Sequence, residues 1–247
     1  MKNSVIETLL NHRSIRAFTD QALTDEQVHT LVQCAQAAST SSFTQSYSII
    51  GIDDPEIKKQ LRPIAFNASY VENNGYFFVF LADQHRNAQI GKKLGMSTDV
   101  LDTTQRLLVA LGDAAFAAQN MAVAAESMGL GICYIGSIQN DIEQTARILE
   151  LPEGTFPIFG LAVGYPVQMP EKKPRLPFDV IFHKNHYQSD LPEQSLADYD
   201  REVAHYYKTR QGNKREETWT AGIASGLESP ARMQLKPFLD RQKLGRR

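Results

Sequence analysis

The stretch Asn11-His12-Arg13-Ser14-Ile15-Arg16-Ala17-Phe18 is the part of this chain from which the rest can be read. It places three basic residues, His12, Arg13 and Arg16, and the Ser14 hydroxyl where a short helix should end. Val5, Ile6, Leu9 and Leu10 form that helix's apolar stripe, and the spacing Ser4-x-x-Glu7 predicts a capping box at its start. Carbonyl ends of helices favour cations, so one reading is a basic C-terminal cap. The other is an anion site, because guanidinium forks and a hydroxyl suit phosphate oxygens.

Downstream, Thr24-x-x-Gln27 caps a second helix carrying Val28, Leu31, Val32, Ala35 and Ala38 at helical spacing. It runs into a hydroxyl-rich stretch from Ser39 to Thr44, either a polar loop or a wall for a polyol or phosphate. Tyr47 to Ile52 alternates as a strand, and Asp54-Pro55 starts a helix to Ile64. Tyr76 to Leu81 is a continuous apolar run, which predicts a buried central strand. Asp83 to Ser97 reads as a loose polar excursion. Leu107 to Met128 is Ala-rich and apolar on more than one face, hence a buried helix able to pack closely against a partner subunit, with Gly129 as its stop. Gly131 to Ile135 and Ile158 to Val163 read as strands, and Asn140-x-x-Glu143 as the cap of a helix to Leu149. Beyond Pro170, Lys172, Lys173 and Arg175 lie between prolines, which stiffen their backbone. Ser195 is the expected cap of a helix with Leu196, Tyr199, Val203, Tyr206 and Tyr207, followed by the basic segment Lys208 to Arg215. A last amphipathic helix is expected from Ser229-Pro230 through Leu239.

Composition narrows the function. A chain of 247 residues can bury a sizeable core in one or two domains. A net charge of −2 argues against nucleic acid or an anionic membrane as the main partner. No signal peptide is read at the start, and the two cysteines, Cys34 and Cys133, make no disulfide framework, so a cytoplasmic protein is expected. The six histidines form no metal pattern, His183-x-x-His186 lacking carboxylate or thiolate companions. Gly129-Leu130-Gly131 stands in the order helix, glycines, strand, the reverse of a dinucleotide fingerprint, and no GxGxxG exists.

His12 to Phe18, Ser39 to Gln45, Gly129 to Gly136 and Lys172 to Pro177, taken together and in this order, resemble the FMN-dependent nitroreductase superfamily. Within it they are most similar to the NADPH-linked group of oxygen-insensitive nitroreductases and flavin reductases. The resemblance covers essentially the whole chain. It implies an α+β fold with a central mixed, mostly antiparallel sheet flanked by helices, in an intertwined homodimer. Residues 1–170 would be the FMN-binding core, and residues 171–247 a basic connector and helical extension wrapping the partner. It also implies one non-covalent FMN per subunit, NADPH as donor, and ping-pong transfer to small acceptors such as nitroaromatics, quinones or free flavin.

Residue by residue, the resemblance assigns His12, Ser14 and Arg175 to the FMN phosphate. Arg13 and the hydroxyls of Ser39, Thr40 and Ser41 fall to phosphate or ribityl, and Arg16 and Lys173 to the charge of the reduced ring. Gly131 and Ile132 approach the flavin N5, and Tyr70 lies near the ring. Ala68 stands where the family carries a ring-binding amide, so Asn67 is the expected substitute. Arg210 and Arg215 would meet the NADPH 2′-phosphate, with Glu216 and Glu217 close enough in sequence to neutralise Arg215. Two other readings are a flavin carrier or sensor with little turnover, and an interaction protein built on Ala-rich helices.

Overall fold

The computed structural model describes Lys2–Ser229 and Arg232–Arg247. The chain divides into two compact units, Met1–Gln168 with Arg232–Arg247, and Met169–Ala231.

The first unit is built on four strands, β1 (Tyr47–Ile52), β2 (Tyr76–Asp83), β3 (Gly131–Ile135) and β4 (Thr155–Gly164). Their order is β1-β2-β4-β3. Among the described residues every strand pairing is antiparallel, and the parallel element of the expected mixed sheet is an isolated bridge between Ser14 and Ile132. The apolar run in β2 is explained by burial on both faces. Phe78 and Phe80 join one apolar cluster, whereas Phe77, Val79 and Leu81 join the other. Each such side chain contributes about 1.5–3 kcal/mol when fully buried. Gly160 on β4 is the counterpart of Phe77, since a Cβ there would lie 2.4 Å from the ring's Cζ.

Helix α6 (Thr104–Ser127) covers the first face through Ala114, Ala118, Met121 and Ala125, all fully buried. It is long and apolar enough to cross a membrane, yet these small residues are what let it lie close on the sheet. The other face takes Leu61 and Ile64 of α3 (Pro55–Ile64). Helices α1 (Ser4–Leu10) and α2 (Asp25–Gln36) precede the sheet in the chain. The Thr24 capping box forms as expected. Gly129 ends α6 with φ +77°.

Several local expectations are corrected. The cap of α1 is Asn3, extended and accepting from the Ile6 amide, which puts Ser4 inside the helix. The stripe on α1 is not core in this chain: Val5, Leu9 and Leu10 are exposed. Residues 83–97 are not a loose excursion but hold α5 (His85–Lys93), after the short α4 (Ser69–Glu72). No residue of α5 is buried, and Ala88 and Ile90 are its only apolar side chains, too few to read a helix from. The cap of α7 (Ile142–Ile148) is Asp141, because the Asn140 amide is turned to the Ile64 carbonyl, 3.1 Å away.

The second unit holds α8 (Phe178–Ile181), α9 (Glu193–Thr209) and α10 (Trp219–Glu228), the last of which had no expectation. Ser195 lies inside α9 rather than capping it, and its hydroxyl donates to Asp179. Tyr199, Val203 and Tyr207 form this unit's core. In the first unit, α11 (Leu235–Arg241) is shorter than the expected last helix, of which Pro230 lies outside the described residues. Phe238 and Leu244 are buried with Ala110, Ile142 and Phe156. Arg246 closes the segment: its Nε donates to Asp102 at 2.7 Å and its amide to the Asp102 carbonyl at 2.9 Å. That guanidinium holds the Asp102 carboxyl below the usual carboxylate range.

Candidate active site

The basic segment leaves α1 and is drawn against the sheet edge. The Ile15 amide donates to the Ile132 carbonyl at 2.8 Å, and Ser14 bridges Ile132 in parallel. Two sequence-predicted groups, residues 12–16 and Gly131-Ile132, are thereby one structure. Gly131 has a structural reason of its own to lack a side chain, because a Cβ would sit 2.6 Å from Ile15 Cγ1. Its smallness is consumed by Ile15.

The three basic side chains emerge in different states. His12 Nδ1 donates to Glu126 Oε1 on α6 at 2.7 Å, with the carboxylate 14% exposed. Arg13 donates through Nη1 to the Asn11 carbonyl at 3.1 Å, while its Nε is buried with no acceptor among the described residues. Arg16 is exposed and makes no ion pair among the described residues. Its guanidinium field reaches Cys133 on β3, where burial pushes the thiol up and Arg16 opposes it. Tyr134 beside it is also pushed up, by burial first and by the Glu126 carboxylate second.

The hydroxyl-rich loop is held from one buried group. Asp113 of α6, 1% exposed, accepts from the Ser41 amide at 2.9 Å and the Ser46 amide at 3.0 Å. Between these tethers Ser42, Phe43 and Gln45 adopt positive φ, a backbone state that side chains rarely take and that costs of order 1–3 kcal/mol each. Ser39, Thr40 and Ser41 line a cavity of about 400 Å³ with Gly112, Asp113 and Phe116. The loop is therefore rigidly built rather than a loose polar run.

Asn67 is exposed with φ +56°, its amide donating to the Arg62 carbonyl at 3.0 Å. Tyr70 packs at the edge of the cluster around Phe77 and accepts at its carbonyl from Asn74. No described contact joins either residue to the basic segment or to the serine loop.

In the second unit three predicted cations gather on one ring. Arg215 Cζ lies 3.9 Å from the Tyr207 centroid, Arg210 Cζ 4.7 Å and Lys173 Nζ 5.3 Å. Arg210 also donates to the Asn213 carbonyl at 3.0 Å, and Arg215 pairs with Glu217 at 2.5 Å. Arg175 is exposed and donates to the Lys173 carbonyl at 3.0 Å.

Sequence reasoning missed Asp113, Glu126 and Tyr207. The first two had a signal: acidic residues in an apolar helix are seldom buried unless paired. Tyr207 had none beyond its place in an amphipathic stripe. As a test of fit for a phosphate-bearing flavin, the first unit offers a buried Arg13 guanidine nitrogen and an Arg16 guanidinium, neither with an acceptor among the described residues, and a braced hydroxyl loop. These donors suit such a group.

The Nitroreductase family pattern matches residues 9–165, and the Nitroreductase family, C-terminal domain pattern matches residues 173–247. An FMN reductase (NADPH) of Bacillus subtilis is 48% identical over 240 residues, 96% of either chain. The structure of the NfrA1 nitroreductase from B. subtilis superposes with a TM-score of 0.94 at 47% identity, covering 98% of this chain and 100% of that one. An NADPH:FMN oxidoreductase from Vibrio harveyi complexed with NAD+ gives 0.90 at 39% identity, covering 99% and 100%.

Proposed function

Because the chain belongs to the nitroreductase family, we propose that it is an NADPH-dependent FMN oxidoreductase that reduces small acceptors, nitroaromatics, quinones or free flavin. Bound FMN would supply the hydride and electron transfer between NADPH and acceptor that the protein's own side chains do not provide. The observation that carries this reading is the bridge between Ser14 and Ile132, which sets the basic segment beside the glycine strand.

The chain's own groups bind and orient. His12, Arg13 and Ser14 hold the phosphate, and the hydroxyls of Ser39, Thr40 and Ser41 take the polyol. Arg16 supplies a cation that favours the reduced ring. Lys173 and Arg175 are assigned to ring and phosphate by family resemblance, Asn67 and Tyr70 to the ring edge, and Gly131 and Ile132 to its N5. Arg210 and Arg215 meet the NADPH 2′-phosphate. With no acidic fingerprint residue, choice of nucleotide rests on such cations.

The same reading makes the protein a cytoplasmic homodimer. Val5, Leu9, Leu108 and Phe116 are exposed apolar residues that a partner subunit would cover. Residues 171–247 are the extension that wraps it, and the part able to do so is the second unit, because Phe238 and Leu244 are buried in the first. The direct test is the visible spectrum of the purified protein. Flavin bands that bleach on adding NADPH and return on adding an acceptor are expected; a colourless protein, or bands indifferent to NADPH, would overturn the reading.

A further inference from the structure

We infer that Glu126 is a positioning residue for the cofactor's phosphate, acting through His12. This rests on the reading of His12 as a phosphate ligand. Glu126 stands in the last turn of α6, far from His12 in sequence, and its side chain is mostly buried. An ionised carboxylate only accepts hydrogen bonds, so the 2.7 Å contact fixes the proton on His12 Nδ1. Only Nε2 then remains for a ligand. To donate to a phosphate oxygen from Nε2 the ring must carry both protons, and the Glu126 carboxylate is the charge that balances it. The pair also stops the ring turning, since Nδ1 is held by a helix packed on the sheet and His12 follows directly from α1.

A negative group near an anion site is unfavourable unless it works through a cation. This gives the inference a sign. If Glu126 were only a nearby charge, removing it would tighten FMN binding. If it orients His12, removing it weakens FMN while leaving riboflavin, which has no phosphate, as before. Tyr134 and Gln119 are the neighbouring polar groups on this side, the phenol donating to Gln119 Oε1 at 3.4 Å. Neither offers His12 a substitute carboxylate.

The experiment titrates FMN and riboflavin into flavin-depleted full-length protein, for wild type, E126A, E126Q, H12A and H12A/E126A. E126A should lower the FMN-to-riboflavin affinity ratio roughly 3–10-fold, the range for one lost hydrogen bond. E126Q should recover part of it, because the amide oxygen still accepts from Nδ1–H. In the H12A background the second substitution should change nothing further. If H12A lowers the ratio but E126A leaves it unchanged or raises it, the inference is overturned while the phosphate reading stands. If H12A itself leaves the ratio unchanged, the phosphate reading falls and takes the inference with it. E126Q keeps the test open should E126A fail to fold.

Discussion

The two basic regions of this molecule solve the same electrostatic problem in opposite ways. In the first unit two of the three basic side chains are embedded: His12 is bonded to a mostly buried carboxylate, and Arg13 has a buried nitrogen with no acceptor among the described residues, on a backbone stitched to the sheet, while Arg16 is exposed. In the second they are exposed or half-buried, stacked around Tyr207, and partly satisfied by Glu217 and the Asn213 carbonyl. The first arrangement is set before any ligand arrives, and its interactions are poorly screened. The second is solvated, so its attraction for an anion is weak at high salt and its partners can be exchanged. The contrast is the one expected if the first region retains its ligand and the Arg210–Arg215 cluster exchanges a nucleotide, with Lys173 and Arg175 assigned by resemblance to the retained flavin.

The largest test of this contrast is Arg13→Ala. Losing a charge-assisted contact from a partly buried site should weaken FMN about 10–100-fold, from about 1.5–3 kcal/mol. The loss should be nearly the same at low and high salt in a fluorescence titration. A defect that vanishes at high salt would erase the distinction between the regions. Next is Gly131→Ala. The added methyl must displace Ile15, whose amide holds the Ile132 carbonyl. Overpacking of this kind costs about 1–3 kcal/mol. A lower melting temperature together with lower flavin content is expected; normal flavin content in a destabilised protein would mean that segment 12–16 need not be held by the strand.

A smaller effect is expected in the second unit. Arg210→Ala with Arg215→Ala should raise KM for NADPH several-fold, leave KM for NADH and turnover largely unchanged, and lose its effect as salt rises. Equal changes for both nucleotides would return the cluster to a solvated basic turn. The smallest concerns Asp102, which belongs to neither region. Its folded carboxyl is depressed by Arg246, so its contribution is present above the ordinary carboxylate range and is lost as pH falls through the folded value. Thermal melts of wild type and Asp102→Asn should differ by a constant amount above about pH 5 and converge in more acidic buffer, given unperturbed Asp near 3.9. A difference changing between neutral and pH 5 would show the pair coupled to other groups.

What could be read in advance divides along the same physical line. Periodicity reports burial, so β1, the apolar run of β2, α6 and the Thr24 cap were legible. Helix α5 buries nothing and left no trace, and Asn3 competed with Ser4 for a cap that either could make. At the site, residue types and order pointed to His12, Arg13, Ser14 and the serine loop. Glu126 and Asp113 stood out as acids in an apolar helix, but their partners could not be read because each lies on another element many residues away. Gly131 was read as a backbone approach to the flavin N5, and its closeness to Ile15 is a second demand on that position that the sequence did not announce.

Helix α6 carries a further consequence, for how this sequence can change. Asp113 holds the serine loop and Glu126 holds His12, and the two tethers sit on one continuous helix. The thirteen residue steps from one to the other span roughly 20 Å at about 1.5 Å per residue. Exchanging one small residue for another leaves that interval intact. Inserting or deleting one between them would rotate one tether against the other by about 100° and slide it along the axis. This part of the chain should therefore accept substitution in descendants yet keep its length.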